Sequence, residues 1–97
     1  VDTDAIVALP GGCGTLEELL EAITWKRLGL VTAPIIIVNT DGFYDPLIAM
    51  LDRCVEENFM RAELKHIWQV ISEPSEFLQA VADAVEWDES AIQRAKV

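Results

Sequence analysis

The sequence predicts an α/β fold in which a parallel sheet carries helices on both faces. Two patterns lead to this prediction. Apolar segments of strand length alternate three times with amphipathic segments of helix length. The run Ile35-Ile36-Ile37-Val38 is apolar at every position, which is typical of a strand buried on both faces of a parallel sheet. Ligands of such sheets bind beyond the carboxyl ends of the strands.

Two strand–helix units open the chain. We predict a first strand over 4–9 and a first helix over 16–28, with Gly29 as the left-handed residue that ends this helix. A second strand over 34–39 leads into a second helix over 45–57. Helical spacing predicts that one apolar stripe of the first helix faces the sheet, made of Leu16, Leu19, Leu20 and Ile23.

The third unit is shorter than the first two. A strand is expected over 68–71 and a helix over 75–85, with a further helical stretch from Asp88. Asp45 is the expected N-cap of the second helix, and the preceding Asp41-Gly42 is a typical turn pair. The apolar faces predicted for the second and third helices are Leu47, Leu51, Cys54 and Val55, and Phe77, Leu78, Val81 and Val85.

Charge and length narrow the classes of partner. The 97 residues form at most one domain, and 7 Lys and Arg against 17 Asp and Glu give a net charge of −10. Nucleic acid and anionic membrane surfaces are not expected partners, because both require basic patches. The sequence has no apolar run near 18 residues, so a transmembrane helix is not expected. A phosphate ligand stays possible, since backbone amides bind it without basic side chains.

Cysteine and histidine usage limits the metal chemistry. Cys13 and Cys54 have no metal-ligand spacing, and a single histidine, His66, cannot form a multi-histidine site. The cysteines are interpreted as reduced thiols of a cytoplasmic protein. The chain begins at Val1 without Met and enters a core strand almost at once. Residues 1–97 are therefore expected to be the C-terminal portion of a larger domain.

Residues 10–18, Pro-Gly-Gly-Cys-Gly-Thr-Leu-Glu-Glu, join the first strand to the first helix. The first N–H groups of a helix lack internal partners and carry the positive end of its dipole, and glycines let an anion approach them. We therefore predict a phosphate-binding turn. It is not a Walker A loop, because no Lys-Ser/Thr pair follows the glycines. It is not a dinucleotide fingerprint, because Glu17 stands where the third glycine belongs and would repel a pyrophosphate.

The two carboxylates after the glycines have a structural and a chemical interpretation. Thr15 and Glu18 have the spacing of a capping box, which contributes roughly 1 kcal/mol to a helix. Spacing alone favours this role for Glu18, and a solvated first-turn acid for Glu17. The chemical interpretation gains weight because a cap has no use for three glycines in the preceding loop. Cys13 is a weaker candidate nucleophile, since no histidine lies near it in the sequence.

The outer face of the first helix carries Glu18, Glu21 and Trp25, with Leu28 near its edge. An outward Trp and Leu on a helix already buried on its other side imply a second contact. Either the missing part of the chain or another subunit could supply this contact. We favour a homodimer that packs through helix 16–28, which would place Glu18 near the interface.

Residues 4–19 resemble the signature Pro-Gly-Gly-x-Gly-Thr-x-x-Glu of the LOG family. These proteins are cytokinin riboside 5′-monophosphate phosphoribohydrolases that were long labelled lysine decarboxylases. Residues 23–25, 28–29 and 38–47 also look like that family. The match is dense over residues 1–60 and thin beyond.

The resemblance implies a Rossmann-like fold, a homodimer, and hydrolysis of the N-glycosidic bond of a nucleoside 5′-monophosphate, without a metal or redox cofactor. The products would be an adenine-type base and ribose 5-phosphate. Carried onto this chain, the residues that hold the 5′-phosphate would be Gly11, Gly12, Gly14 and Thr15. Glu18 would be the catalytic carboxylate, which stabilises an oxocarbenium-like ribose or activates water, and Glu17 would orient the ribose.

The chain lacks one residue that the family uses for catalysis, and two other functions are alternatives to hydrolysis. The family's catalytic arginine lies upstream of the glycine motif, outside these residues, so the chain is expected to hold part of an active site. A carrier of a phosphate-bearing cofactor, such as molybdenum cofactor, would use the same glycine loop without cleaving its ligand. Lysine decarboxylation is disfavoured, because neither Lys26 nor Lys65 has a recognisable pyridoxal-phosphate context. Whether a cytokinin or adenine is released stays open.

Overall fold

The computed structural model describes residues 5–84 and residue 87. Three strands alternate with three α-helices: β1 (Ile6–Ala8), α1 (Cys13–Arg27), β2 (Ile35–Val38), α2 (Asp45–Glu56), β3 (Trp68–Ile71) and α3 (Phe77–Asp83). Short 3₁₀ turns occupy Thr40–Gly42, Ala62–His66 and Pro74–Glu76. Within the described ranges, every helix is too short or too polar to cross a membrane.

The strands form one parallel sheet in the order β1-β2-β3, which confirms the α/β prediction. Ile35 of the central strand lies opposite Ile6 on one side and Trp68 on the other. All four residues of β2 are buried. One face of the sheet packs against α1 and α2, and the opposite face packs against α3. The crossover helices thus cover both faces, as the apolar run in β2 predicts.

The start of α1 differs from the prediction. The helix begins at Cys13, three residues before the predicted start at Leu16, and Gly12 is its N-cap. The Leu16 N–H already donates to the Gly12 carbonyl at 3.0 Å. The predicted capping box of Thr15 and Glu18 is therefore wrong: both residues lie inside the helix, and no side chain caps it.

The end of α1 confirms the role of Gly29, whose φ is 85°. Its N–H donates to the Lys26 carbonyl at 3.1 Å, and the Leu30 N–H donates to the Trp25 carbonyl at 2.9 Å. This pair of bonds is the Schellman motif, which needs a left-handed residue after the helix and so favours glycine.

The buried face of α1 is rotated from the predicted stripe. Leu19 and Ile23 are buried as expected, but Leu20 is 40% exposed. Lys26 takes the place of an apolar residue on this face and is 1% exposed. Positions 19, 23 and 26 follow the helical repeat, so the buried face turns away from Leu20. Leu20 lines a cleft of about 280 Å³ between α1 and the segment that contains Leu51.

The buried ammonium group of Lys26 contacts a carbonyl and an aromatic ring rather than a carboxylate. Its Nζ donates to the Ile67 carbonyl at 2.9 Å and lies 5.7 Å from the centroid of the Trp87 ring. The Trp87 Nε1–H in turn donates to the Lys26 carbonyl at 2.7 Å. Burial lowers the pKa of Lys26 to about 8. These contacts fasten the carboxyl end of α1 to the residue that precedes β3.

The structure of α2 matches its predicted range to within one residue, and Leu51 is buried as expected. Asp45 was expected to be the N-cap, and this prediction is wrong: Tyr44 is the N-cap and Asp45 is the first helical residue. The Asp45 carboxylate is engaged outside the helix, where its Oδ1 accepts a hydrogen bond from Asn39 Nδ2 at 2.8 Å.

The third helix begins later than predicted, because a 3₁₀ turn occupies the residues before Phe77. Leu78 was expected on the packed face but is 79% exposed. Ala80 is buried instead, and Phe77 and Val81 pack beside it against β2 and β3. Positions 77, 80 and 81 share one helix face, and position 78 points elsewhere.

The predictions for the strands and for the chain ends have mixed outcomes. The range predicted for the third strand, 68–71, is confirmed. The first strand is shorter than 4–9, since it spans Ile6–Ala8, and Asp4 lies outside the described residues. The predicted end of the third helix at 85 is wrong, because the helix ends at Asp83 and the backbone of Ala84 is extended. The helical stretch predicted from Asp88 lies outside the described residues.

Replacing Lys26 by Met tests the cost of burying its charge. The folded pKa of about 8 lies below the ordinary value of 10.5, so the unfolded chain binds more protons between these values. The free energy of unfolding of the wild type therefore rises with pH across this window. We expect the difference in unfolding free energy, wild type minus Lys26→Met, to increase by about 2 kcal/mol from pH 7 to about pH 9.5 in urea denaturation.

Lys65→Met is the matched control, because Lys65 is exposed and pairs with Asp52 at 3.2 Å on the surface. We expect this control to keep the wild-type pH dependence. Burial raises the pKa of Tyr44, which lowers stability as pH rises above about 10, so the measurements stay below that value. A Lys26→Met protein with the wild-type pH dependence would show that the ammonium is not buried in solution.

Candidate functional site

The loop between β1 and α1 places the uncapped amino terminus of α1 at the carboxyl edge of the sheet. The N–H groups of Cys13, Gly14 and Thr15 precede the first intrahelical hydrogen bond, which Leu16 donates to Gly12. No side chain caps this end. The dipoles of a 15-residue helix therefore end in N–H groups that lack an acceptor within the helix. Such an arrangement can receive an anion.

Packing explains why glycine occupies one of the three glycine positions in the loop, but not the other two. A Cβ on Gly11 would lie 2.9 Å from the Thr15 Cβ, so packing requires a glycine there. A Cβ on Gly12 or Gly14 would meet no atom of residues 5–84 or 87 within 4 Å. Gly14 lies inside α1, where alanine would be more favourable by roughly 1 kcal/mol. Packing thus explains Gly11, and the open space at Gly12 and Gly14 is available to a ligand.

The predicted site residues on α1 divide between two sides of the helix. Thr15 and Glu18 line a small cavity of about 60 Å³ together with Ile6, Val7, Ala8 and Leu19. Glu17 is exposed and does not line this cavity, because it lies about 100° around the helix from Glu18. The structure therefore brings Glu18 and Thr15 together beside β1 and leaves Glu17 apart from them.

Tyr44 is a residue of this region that the sequence analysis did not identify. It is 1% exposed, although it lies just outside α2. Its hydroxyl donates to the Leu9 carbonyl at 2.6 Å, directly before the glycine loop. Burial raises the pKa of Tyr44, so the phenol keeps its proton and stays a donor. A partner 35 positions away leaves no local pattern in the sequence.

Asn39 connects Tyr44 to the end of the neighbouring strands. Its Oδ1 accepts the Tyr44 N–H, and its Nδ2 donates to Asp45. The Asn39 N–H donates to the Ile71 carbonyl at 2.7 Å, at the end of β3. Asp41 lies in the intervening turn in left-handed conformation, with φ of 53°, so it shapes the turn as predicted. The carboxyl ends of all three strands are thus joined by hydrogen bonds.

The weaker candidates stay apart from this network. Cys13 is exposed at the first position of α1, and His66 is exposed in the turn before β3. Among the lysines that the structure describes, Lys26 has its Nζ buried on a carbonyl and Lys65 pairs with Asp52. Neither presents a free amine beside the glycine loop, which is what pyridoxal-phosphate chemistry would need.

A family model described as a possible lysine decarboxylase matches residues 2–81. A probable cytokinin riboside 5′-monophosphate phosphoribohydrolase of Oryza sativa subsp. japonica is 40% identical over 94 residues, covering 97% of this chain and 38% of the relative. A cytokinin riboside 5′-monophosphate phosphoribohydrolase of Arabidopsis thaliana is 49% identical over 72 residues, covering 74% and 33%. The rice protein named LOG is 50% identical over 72 residues, covering 74% and 29%.

The chain spans about a third of the length of the curated relatives that it matches. The family model covers most of the chain, including the glycine loop, α1 and the Tyr44 turn. The fold also agrees, since the three-stranded parallel sheet with helices on both faces is a Rossmann-like portion. The chain therefore belongs to the LOG family, whose family model still describes its members as possible lysine decarboxylases.

Proposed function

We propose that residues 1–97 are the C-terminal portion of a single Rossmann-like nucleotide-binding domain that hydrolyses the N-glycosidic bond of nucleoside 5′-monophosphates. The names of the matched relatives support this reaction. The sheet supports the domain assignment: among the described residues β1 pairs with β2 alone, and its Val7 is 43% exposed. A further strand beside β1 would cover that edge.

One observation carries the proposal for phosphate binding. The open space at Gly12 and Gly14 lies at an uncapped helix terminus, and nothing in the packing of the described residues requires glycine at these two positions. A 5′-phosphate seated there would accept hydrogen bonds from the first N–H groups of α1 and meet the positive end of its dipole. The absence of a side chain at Gly11 leaves room for the Thr15 side chain, whose hydroxyl lies beside the same terminus. These four residues form the proposed phosphate site.

Glu18 is the proposed catalytic carboxylate. It lies one helical turn beyond the loop, on the side of α1 that faces the outer edge of β1. In the reaction the C1′–N bond breaks, its electron pair leaves with the base, and a water oxygen bonds to C1′. A carboxylate beside C1′ stabilises the oxocarbenium-like ribose or accepts the proton of that water. Glu17, on the adjacent side of the helix, is proposed to orient the ribose.

The substrate class is a purine nucleoside 5′-monophosphate. The names of the relatives specify cytokinin riboside 5′-monophosphates, and we propose that these or AMP are the substrates. The proposed reaction uses water as its co-substrate and needs no resident cofactor. A cytoplasmic location belongs to the same proposal, because Cys13 and Cys54 are both free thiols.

We also propose a homodimer that packs through helix 16–28. Trp25 and Leu28 are exposed on the outer side of α1, and Leu20 and Leu30 add to the apolar surface at its margins. An apolar surface of this kind on a chain of net charge −10 supports association through apolar contacts rather than through opposite charges.

Gly12→Ala and Gly14→Ala test the phosphate site. A methyl group at either position occupies the space assigned to the phosphate, so we expect the affinity of the full-length protein for inorganic phosphate to fall at least tenfold in calorimetry. The melting temperature should be unchanged or, for Gly14→Ala, raised. Gly11→Ala should lower it, because the new methyl group displaces Thr15. Two well-folded variants with wild-type affinity would contradict the site.

Glu18→Gln tests the catalytic role. Glu21→Gln is the matched control, because Glu21 is also an exposed carboxylate of α1 but does not line the cavity beside β1. We expect the full-length wild type to release base from AMP or N6-isopentenyl-AMP, as measured by chromatography. The Glu18→Gln rate should be at least about 100-fold lower, and the Glu21→Gln rate should stay near wild type. A wild type that binds AMP but releases no base would indicate a carrier of phosphate-bearing ligands instead of a hydrolase.

Trp25→Glu tests the dimer. If α1 packs against α1 of a second subunit, a charge at this position must lose its water and the dimer is destabilised. We therefore expect the molecular mass measured by light scattering to fall to half of the wild-type value. Trp25→Phe keeps an aromatic side chain and should keep the wild-type mass. If Trp25→Glu keeps the wild-type molecular mass, the proposed interface through this helix is wrong.

A further inference from the structure

The glycine loop is held at its β1 end by the peptide group between Leu9 and Pro10. The Leu9 carbonyl of this group accepts the Tyr44 hydroxyl at 2.6 Å. The Pro10 ring fixes the next φ near −65° and removes one backbone donor. With the carbonyl held and this φ fixed, ψ of Pro10 is the one soft dihedral left between Leu9 and the Gly11 amide. The Leu9 carbonyl therefore constrains the direction in which the chain enters the glycine loop and the orientation of the Gly11 amide.

Tyr44 is itself held by hydrogen bonds at its backbone and its hydroxyl and by a contact to its ring. Its N–H donates to Asn39 Oδ1, and Asn39 is fixed to the end of β3 through the Ile71 carbonyl. The Phe43 ring meets the Tyr44 ring edge-on, with centroids 5.0 Å apart. A side chain that is buried and bonded at both its backbone and its hydroxyl can transmit the position of the β2 and β3 ends to β1.

We propose that Tyr44 is a positioning residue for phosphate binding: its hydroxyl holds the Leu9 carbonyl and so aims the amides of the glycine loop at the 5′-phosphate. This inference rests on the proposed function, and it adds a residue from the β2–α2 turn to a site built from β1 and α1. The Tyr44 hydroxyl contacts the backbone and acts on the ligand through the loop.

Tyr44→Phe removes the hydroxyl and keeps the ring. In the full-length protein we expect the Kd for AMP, the Kd for inorganic phosphate and the KM for the nucleotide to rise about five- to tenfold, with kcat nearly unchanged. The affinity for adenosine, which lacks the phosphate, should not change. Calorimetry in the Glu18→Gln background, which is expected to turn over AMP at least about 100-fold more slowly, measures the three affinities. Chromatography of the base released by the protein with Glu18 intact gives kcat and KM.

Trp87→Phe is the matched control. It removes another buried hydrogen bond to a carbonyl, the one from Trp87 Nε1 to Lys26 at 2.7 Å, at the far end of α1. We expect it to lower the melting temperature as Tyr44→Phe does, and to leave the phosphate and AMP affinities at wild-type values. Equal loss of phosphate affinity in both variants would mean a general structural effect and would overturn the proposal.

The remaining outcomes also decide between the proposals. Tyr44→Phe with a lower melting temperature and wild-type phosphate affinity would make the hydroxyl purely structural. If the wild type binds AMP without cleaving it, the proposed reaction is wrong, but the comparison of Tyr44→Phe with the wild type still tests phosphate binding. If the wild type binds neither AMP nor phosphate, both the proposed reaction and the proposed role of Tyr44 are wrong. If Tyr44→Phe does not fold, Asn39→Ala frees the Tyr44 N–H and should raise the same constants by a smaller factor, whereas unchanged constants would overturn the proposal.

Discussion

The burial of β2 on all sides is the constraint that organises this chain. Four consecutive apolar residues leave water together, so their N–H and carbonyl groups need partners on both edges, and β1 and β3 provide them. Their side chains alternate between the two faces, so both faces need cover, and α1, α2 and α3 provide it. Parallel pairing then brings three carboxyl ends to one edge, where the glycine loop and the Asn39 turn meet.

Three buried polar side chains complete the arrangement, and each one donates to a main-chain carbonyl near the end of an element. Tyr44 donates to Leu9 after β1, Lys26 to Ile67 before β3, and Trp87 to Lys26 near the end of α1. The carbonyls of Leu9 and Ile67 gain a side-chain donor in this way, and the Lys26 carbonyl, which already accepts the Gly29 N–H, gains a second donor. The apolar parts of these long side chains meanwhile fill the core.

The sequence was sufficient for features that depend on neighbouring residues. The alternation of elements, the parallel sheet, the range of α2 and the left-handed Gly29 all follow from local pattern and backbone sterics. The start of α1 was misjudged because Thr15 has the chemistry of a cap, whereas the backbone already turns at Gly12. Lys26 and Tyr44 were missed because their partners are 41 and 35 positions away, and charge alone argued against burying a lysine. The glycine loop was predicted as a phosphate site, but no sequence pattern linked it to Tyr44.

The contact between Trp87 and Lys26 also bears on the order in which the chain folds. It joins residues 61 positions apart, so its formation must overcome the entropy of closing a long loop, and it follows the local pairing of β1, α1 and β2. On the ribosome, these first elements are complete long before residue 87 is synthesised. Until then the ammonium of Lys26 lacks the Trp87 ring beside it. The contact from Trp87 therefore secures the carboxyl end of the first helix only after the strands and helices between these two residues have been synthesised.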